Sequence, residues 1–335
     1  MTQHLQTVPL EGMRVAVIGA GTIGASWAAL FLAKGLSVAV SDPDPAAEAR
    51  VRAYIDDAWP ALTQMGLAPN ASPANWSFQL DPQEAASGAD LVQENGPERL
   101  EVKRSIYAAL EEVLVPETIV ASSTSGLIMS ELQEEMRHPG RFVIGHPFNP
   151  PHLIPLVEVV GGKATTQEAI VWLMAFYAAL GKRPIRLRRE VPGHLANRLQ
   201  AALWREAIHA VATGLASVED VDTAIAQGPG LRWALMGPNM IFGLAGGAGG
   251  MAHFLDHIGP AMERWWADLG HPELTPDVRE KLVAGWAKEM AGRSVDELAV
   301  ERDRQLLALL EMLRRSDTSG HRARDQDNLK KEDDQ

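Results

Sequence analysis

The feature that most constrains the fold is a glycine turn near the start of the chain. An apolar run over residues 15–18 is followed by three glycines in the spacing Gly-x-Gly-x-x-Gly, which are Gly19, Gly21 and Gly24. A helical pattern over residues 23–34 and a second apolar run, which ends at Asp42, come next. A strand, a glycine turn, a helix and an acidic residue after the next strand form the dinucleotide-binding fingerprint. The segment therefore predicts the first β-α-β unit of a doubly wound parallel sheet.

Each glycine of this turn has its own task. Gly19 permits the tight turn, Gly21 lets a pyrophosphate approach the backbone, and Gly24 lets the helix pack closely on the strand. The helix begins near Ile23, and the free N–H groups at its N-terminus favour phosphate. Asp42 can accept hydrogen bonds from ribose hydroxyls, and its charge would repel a 2′-phosphate. We therefore expect NAD rather than NADP as the cofactor.

The chain divides into two parts with different patterns. Strand and helix patterns alternate as far as about residue 190, with a helix expected over residues 130–137, and long helical patterns follow. The fold class is therefore α/β: we expect a Rossmann-type sheet domain over residues 13–190, then an all-α domain over residues 191–315. Residues 316–335 contain almost no large apolar side chain. We expect disorder there, because such a segment cannot bury enough surface to offset its ordering entropy.

Composition excludes several classes of protein. The formal net charge of −12 argues against a nucleic-acid partner, since such binders concentrate Lys and Arg. The absence of cysteine excludes disulfides, thiolate metal sites and a cysteine nucleophile, and is compatible with the cytoplasm. Residues 15–33 carry no charge, but glycines interrupt them and no basic segment precedes them. We interpret them as a buried strand and helix rather than a signal peptide or membrane span.

A second segment offers a base and a carboxylate. It reads Gly145-His146-Pro147-Phe148-Asn149-Pro150 and is followed by Glu158. A neutral imidazole can take a proton, and a carboxylate on its other ring nitrogen would fix the tautomer. Alone, a histidine before a proline is more often structural, and a single glutamate is more often solvated. Combined with a nucleotide turn, the pair indicates an enzyme that removes a hydride and a proton from an alcohol.

Three more motifs follow the first two segments in an order that is typical of one family. They are Ser122-Ser123-Thr124-Ser125-Gly126-Leu127, Leu156-Val157-Glu158-Val159-Val160, and Pro192-Gly193 with Asn197-Arg198-Leu199. Together with the two segments above, over about residues 13–315, they resemble the 3-hydroxyacyl-CoA dehydrogenase family. The resemblance implies a Rossmann domain, a helical second domain that forms a homodimer, and NAD-dependent oxidation of a 3-hydroxy group.

The resemblance also implies roles for individual residues. His146 would be the general base, Glu158 would orient it, and Ser125 and Asn197 would position the substrate oxygen. Taken alone, Ser125 could equally cap a helix, and Asn197 could link helices. Further residues match positions of the family that lie at the cofactor or beside the base, namely Ile23 in the glycine turn, Glu98 and Lys103 near the ribose, and Asn149 near the base.

The segment from Gly228 to Pro238 carries the clue to the substrate. Members of the family that act on acyl-CoA typically have a Gly-Tyr-Pro-Met-Gly-Pro-like sequence here, whereas members that act on carnitine or gulonate have Arg followed by an aromatic residue. Arg232 could bind a free carboxylate through two hydrogen bonds, unless it pairs with a structural carboxylate. Trp233 and Phe242 could face a quaternary ammonium group, or belong to the core or the dimer interface.

We therefore expect a small carnitine-like hydroxy acid as substrate. Residues 57–62, 66–69 and 244–251 also look similar to the members of the family that act on carnitine rather than to the gulonate branch. Gulonate, a short-chain 3-hydroxyacyl-CoA and a non-catalytic NAD-binding scaffold stay open as alternatives. His253 and His257 lie four residues apart, a spacing that could place both on one helix face. No third ligand is evident, so we expect no metal and favour a subunit interface or a solvated face for them.

Overall fold

A mixed eight-stranded sheet with helices on its faces forms the first of two units. The computed structural model describes the backbone of residues 8–333 and the side chains of residues 8–315. In chain order the elements are β1 (Arg14–Ile18), α1 (Thr22–Ala33), β2 (Ser37–Ser41), α2 (Ala47–Met65), β3 (Trp76–Gln79), α3 (Pro82–Ala86), β4 (Leu91–Glu94), α4 (Leu100–Glu111), β5 (Ile119–Ser122), α5 (Met129–Leu132), β6 (Phe142–Pro147), β7 (Leu156–Gly161), α6 (Gln167–Ala179) and β8 (Arg183–Arg186).

The strand order confirms the predicted doubly wound sheet. It is β3-β2-β1-β4-β5-β6-β7-β8, with β1 between β2 and β4. Strands β1 to β6 are paired in parallel, β7 is antiparallel to β6, and β8 is parallel to β7. In such sheets a ligand binds beyond the carboxyl ends of the strands, where the strand order reverses. The fold therefore places a ligand site at the end of β1.

Helix α1 is the centre of the core, as expected from the uncharged run over residues 15–33. Its residues from Gly24 to Ala33 are all buried. Trp27 stacks on Phe31 and on Tyr177, with ring centroids 5.4 Å apart in both pairs. Aromatic side chains bury large apolar areas, so this stack fixes α1 against α6. Within the described residues, no helix is long and apolar enough to cross a membrane.

The second unit, from Leu199 onward, confirms the expected all-α part. All regular elements in its described residues are helices. They are α7 (Ala196–Thr213), which begins just before this unit, α8 (Val218–Gln227), α9 (Pro229–Trp233), α10 (Pro238–Ala245), a short 3-10 helix (Gly247–Gly249), α11 (Gly250–Asp268), α12 (Pro276–Met290) and α13 (Val295–Asp333). The side chains of residues 316–335 lie outside the described residues, so the expectation of disorder there stays a prediction.

One expected helix boundary differs from the structure. The helix expected over residues 130–137 ends at Leu132, because the Gln133 side chain donates to the carbonyl of Pro139 and the chain turns there. The two compact units divide between residues 198 and 199, and the expected domain boundary at residues 190 and 191 stays a prediction. Glu158 accepts hydrogen bonds from the backbone at the start of α7, which holds residues 195 and 196 in the first unit.

Candidate active site

The glycine turn has the geometry that close phosphate approach needs. Gly19 has a φ of +92°, and a Cβ on it would lie 2.7 Å from the backbone of Asn95. A Cβ on Gly24 would lie 1.9 Å from the carbonyl oxygen of Gly19, so only glycine allows α1 to start this close to β1. Gly21 faces open space, since a Cβ there would meet no described atom within 4 Å. The open side of the turn is therefore at Gly21.

The N-terminus of α1 leaves donors free for an anion. Gly21 is its N-cap and supplies no side-chain cap, and the first turn carries no acidic residue. The N–H groups of a first turn have no partner within the helix, and the helix dipole favours negative charge there. Ile23 lies half-buried in this turn. The turn fits the pyrophosphate of a dinucleotide.

Asp42 is held beside the turn by two backbone donors. Its Oδ2 accepts a hydrogen bond from the N–H of Ala20 at 2.9 Å, and its Oδ1 accepts one from Asp44 at 3.0 Å. These bonds fix the carboxylate at the end of β2, next to the glycines. A carboxylate there fits a ribose diol and disfavours a 2′-phosphate.

His146 and Glu158 are direct partners across the antiparallel pair β6–β7. Nδ1 of His146 lies 2.9 Å from Oε2 of Glu158. His146 is 6% exposed and Glu158 is fully buried. Because an ionised carboxylate only accepts hydrogen bonds, Nδ1 carries the hydrogen, and in the neutral imidazole Nε2 then has the lone pair. Nε2 of His146 is thus the atom that can take a proton.

The second oxygen of Glu158 holds the start of α7. Oε1 accepts hydrogen bonds from the N–H groups of Leu195 and Ala196, both at 2.9 Å. Burial would raise the pKa of Glu158, but the hydrogen bond from His146 and the two backbone donors outweigh it and lower the pKa below its usual value. The carboxylate is therefore ionised at neutral pH, which is the form that orients an imidazole.

Ser125 lies on a loop after β5 that Glu98 holds. Oε1 of Glu98 accepts hydrogen bonds from the Thr124 hydroxyl at 2.6 Å and from the N–H groups of Ser125 and Gly126 at 3.0 and 2.8 Å. Burial would raise the pKa of Glu98, but these bonds and the charge of Lys103 lower it. Ser125 itself is exposed. Glu98 in its ionised form thus anchors the loop that presents the Ser125 hydroxyl.

Asn197 reaches the same loop from the first turn of α7. Its Nδ2 lies 3.4 Å from the carbonyl oxygen of Ser125, which is long for a hydrogen bond. The structure therefore brings Ser125 and Asn197 together. Asn149 follows β6 closely and is exposed, and its peptide bond to Pro150 is cis.

Lys103 forms a buried ion pair with Glu94, a residue that the sequence reasoning missed. Its Nζ lies 2.7 Å from Oε1 of Glu94 and 3.1 Å from the carbonyl of Gly96, and both charged side chains are at most 1% exposed. Tyr107 and Ser122 also donate to Glu94, at 2.8 and 2.7 Å. Lys103 thus fixes the segment after β4, and its contact with a cofactor ribose stays a prediction. The sequence signal that could have indicated Glu94 is its place at the end of the apolar strand β4.

The three residues expected to recognise the substrate all lie in the second unit. Arg232 and Trp233 belong to the short helix α9, and Arg232 is exposed while Trp233 is 36% exposed. Phe242 lies in α10 and stacks on Phe254 with ring centroids 5.0 Å apart. That stack gives Phe242 a packing role within the unit. Contacts of these residues with a substrate stay predictions.

His194, which the sequence pattern did not single out, lies in the site. It is 1% exposed, and its ring centroid lies 5.1 Å from that of His146. The only signal in the sequence was a histidine directly after Pro192-Gly193. Elsewhere, the rings of His253 and His257 lie 4.1 Å apart on α11. Across the described residues, no group of three or more His, Cys, Asp or Glu side chains could hold a metal ion.

Two family models decide the family. The model described as "3-hydroxyacyl-CoA dehydrogenase, NAD binding domain" matches residues 14–191, and the C-terminal domain model of the same family matches residues 193–285. The chain belongs to the 3-hydroxyacyl-CoA dehydrogenase family. The resemblance drawn from the motifs is thereby confirmed, as is NAD as the cofactor.

Named relatives cover nearly the whole chain. It is 51% identical to an L-carnitine dehydrogenase of Streptomyces griseus over 90% of this chain and 90% of the relative. It is 49% identical to one of Nocardiopsis dassonvillei over 93% of this chain and 95% of the relative. A solved 5-formyl-3-hydroxy-2-methylpyridine 4-carboxylic acid 5-dehydrogenase, described as an NAD+-dependent dismutase, superimposes with a TM-score of 0.80, 32% identity, and coverage of 90% of this chain and 99% of that one. The protein is an NAD-dependent dehydrogenase that acts on CH–OH groups.

Proposed function

We propose that this dehydrogenase oxidises the 3-hydroxyl of L-carnitine to 3-dehydrocarnitine with NAD. The observation that carries the proposal is identity of 44–51% to several proteins named L-carnitine dehydrogenase, over about nine-tenths of the chain. The site supports it, because the buried His146–Glu158 pair supplies the base that oxidation of an alcohol requires. NAD, when bound, supplies the acceptor for the hydride that leaves the carbinol carbon.

The residues of this chain handle the proton. Nε2 of His146 takes the proton of the substrate hydroxyl as the carbon–oxygen double bond forms. Glu158 holds Nδ1–H and stabilises the imidazolium that results, because its carboxylate is ionised and buried beside the ring. Ser125 and Asn197 orient the substrate oxygen from the neighbouring loop and helix. In the reverse direction the imidazolium returns its proton to the carbonyl oxygen.

Arg232 and Trp233 fit the two ends of carnitine. A guanidinium binds a free carboxylate through paired hydrogen bonds, and Arg232 is exposed and makes no ion pair within the described residues. A quaternary ammonium has no hydrogen to donate, so aromatic faces such as those of Trp233 and Phe242 are its natural receptors. An acyl-CoA thioester needs neither group.

The proposal is tested by NADH absorbance with purified protein, NAD and a panel of substrates at alkaline pH. The panel contains L-carnitine, D-carnitine, L-gulonate, 3-hydroxybutyryl-CoA and the pyridine acid named for the solved neighbour. Turnover of L-carnitine with a kcat/KM well above the others supports the proposal. Preference for gulonate or the acyl-CoA would replace it. No turnover with any substrate would favour a non-catalytic NAD-binding scaffold.

We also propose that the protein is a cytoplasmic homodimer whose interface is in the second unit. Large apolar side chains of this unit are exposed in the single chain, among them Leu199, Trp204, Leu255, Trp265, Trp266, Val283 and Trp286. Exposed apolar area on this scale is typical of an obligate interface. The second copy is the simplest partner, because most soluble oligomers are symmetric homo-oligomers.

A further inference from the structure

His194 has an unusual backbone for a buried residue beside the base. Its φ is +52°, directly after Gly193 with a φ of +74°. A left-handed conformation is uncommon for a residue with a side chain, although His is one of the residues that tolerate it. The N–H of His194 closes a turn on the carbonyl of Val191 at 3.1 Å. The chain therefore turns sharply at His194, and the imidazole ring of His194 is buried.

The hydrogen bonds of His194 fix its tautomer. Nε2 lies 3.0 Å from the carbonyl oxygen of Thr124, which can only accept, so Nε2 carries the hydrogen. Nδ1 then has a bare lone pair, and it is buried with no partner among the described residues. Burial is the main cause that lowers the pKa of His194, and the charge of His146 adds to it, while the Thr124 bond and the charges of Glu158 and Glu98 oppose it. The ring is therefore neutral.

His194 joins three parts of the site. Its Nε2–H holds the carbonyl of Thr124, directly before Ser125. Its ring lies against His146, at 5.1 Å between centroids and an interplanar angle of 48°. The turn at His194 also delivers the next two N–H groups to Glu158. One residue thus contacts the loop of the substrate-orienting serine, the base, and the backbone that binds the base's carboxylate.

We propose that His194 is a positioning residue that holds the Ser125 loop and the His146 ring in register for proton transfer. The part that matters is the Nε2–H donor, since it ties the loop to the same turn that binds Glu158. Loss of that donor removes one of the bonds that hold the loop, beside those to Glu98, and leaves the carbonyl of Thr124 without this partner. A misplacement of about 1 Å at a reacting centre can cost about 100-fold in rate. The cofactor turn at Gly19 to Gly24 does not depend on this bond.

The test compares three variants of one position. His194→Gln places an amide N–H near the position of Nε2, His194→Phe keeps a ring without a donor, and His194→Gly removes the ring and relieves the backbone. We expect kcat to fall about 10- to 100-fold in the Phe and Gly variants and only a few-fold in the Gln variant, with the KM for NAD within about two-fold in all three. Equal loss in the Gln and Phe variants, or full activity in the Phe variant, overturns the proposal.

A second measurement does not need turnover. In protein labelled with ¹⁵N at histidine, with His194 assigned by the Gln variant, Nε2 is expected to be protonated and Nδ1 unprotonated at pH 7. The opposite tautomer would rule out donation to Thr124 and overturn the proposal, even if a variant failed to fold. The kinetic part rests on the proposed function. If L-carnitine is not turned over but the tautomer is as expected, the substrate assignment fails and the His194 assignment stands.

Discussion

The two oxygens of Glu158 accept hydrogen bonds from different partners, and this arrangement requires a carboxylate. Oε2 accepts from His146, while Oε1 accepts from the N–H groups of Leu195 and Ala196. An amide of the same shape has one acceptor oxygen and one donor nitrogen. If its oxygen accepts from the backbone, its nitrogen can only donate to Nδ1 of His146, which imposes the opposite tautomer, with the hydrogen on Nε2. The position therefore links the orientation of the His146 ring to the start of helix α7.

Replacing Glu158 with Gln should lower kcat about 100- to 10,000-fold, because the imidazole loses the partner that fixes its tautomer and stabilises its charged form. The matched control is Glu111→Gln. Glu111 is also buried and also accepts from two backbone N–H groups, those of Arg137 and His138, outside the site. Urea unfolding should show similar losses of stability in the two variants. Steady-state NADH formation should show the large loss of kcat only in Glu158→Gln. Comparable losses of kcat in both would contradict the role given to Glu158.

Trp233→Ala should raise the KM for carnitine and leave the KM for NAD nearly unchanged. A cation–π contact contributes about 0.5–2 kcal/mol, so the expected increase is roughly 2- to 30-fold. Trp76→Ala, which removes a half-buried tryptophan of β3 in the first unit, serves as the control and should change neither KM. Equal increases for carnitine and NAD would instead indicate a packing role for Trp233.

At the scale of elements, two glycines at the start of α1 are needed for different reasons. The fold requires glycine at position 24, since a Cβ on Gly24 would lie 1.9 Å from a backbone oxygen. The fold does not require glycine at position 21, since a Cβ on Gly21 would meet no described atom within 4 Å. The space beside Gly21 is needed only when a phosphate approaches the helix N-terminus. The same motif thus contains one folding position and one binding position.

Gly21→Ala should leave the unfolding midpoint within about 1 °C and weaken NAD binding at least 10-fold. Gly24→Ala should lower the unfolding free energy by about 1–3 kcal/mol or more, because the backbone must move to make room. NADH fluorescence titration and thermal unfolding of both variants separate the two effects. Destabilisation by Gly21→Ala equal to that by Gly24→Ala would refute this division.

The loop between β6 and β7 is held by a buried lysine, Lys182, which has no carboxylate partner among the described side chains. Nζ of Lys182 donates to the carbonyls of Pro151 and Ile154, and lies 5.3 Å from the ring centre of Trp27. Burial lowers the pKa of Lys182 to about 7, and the charge of Lys34 contributes. Between pH 7 and the usual lysine pKa of 10.5, the unfolded chain therefore binds more protons than the folded one.

The sign of the pH effect follows from that difference. The unfolding free energy should rise with pH from about 7 towards 10, by up to about 1.4 kcal/mol per pH unit from this one group. Lys182→Met should lose that rise, whereas Lys281→Met, which removes a half-exposed lysine, should keep it. Urea unfolding at pH 7, 8 and 9 gives the slopes. Identical slopes for the wild type and Lys182→Met would show that the ammonium is not strained by burial.

Elements with a strong local pattern were predictable, and edge strands were not. The glycine turn specified β1, α1 and β2, because glycine spacing and apolar runs are local signals. Strands β3, β7 and β8 were missed. β7 is apolar and lies inside the sheet, whereas β3 and β8 lie at its edges, and β8 reads Arg-Pro-Ile-Arg, with a proline and two charges in four residues. Only pairing with β7 makes that segment a strand.

The candidate site shows the same limit. The family motifs pointed to His146 and Glu158, which the structure places 2.9 Å apart. No sequence pattern could indicate His194, because a single histidine in a turn has no periodicity. Its proximity to Thr124 depends on how residues 70 positions apart meet in the folded chain.

At the scale of the whole molecule, the two units differ in how much they bury. The first unit has continuous buried clusters on both faces of its sheet. In the described part of residues 199–335, only Ile208, Phe254 and Val278 are buried large apolar side chains. Helices stabilised by so few buried contacts need another surface, since most helix stability in proteins comes from packing of an apolar face. The second unit therefore leaves apolar helix faces exposed in the single chain.

If a second copy supplies that surface, the protein should sediment at twice the chain mass of 36.3 kDa, and its melting temperature should rise with concentration. Leu255→Glu and Val283→Glu place charges on residues that are 55% and 65% exposed in the single chain. We expect both to shift sedimentation towards the monomer and to lower the melting temperature, because a buried interface cannot solvate an unpaired charge. Leu80→Glu, at a position 55% exposed in the first unit, should do neither. A wild-type protein that sediments as a stable monomer would refute the homodimer.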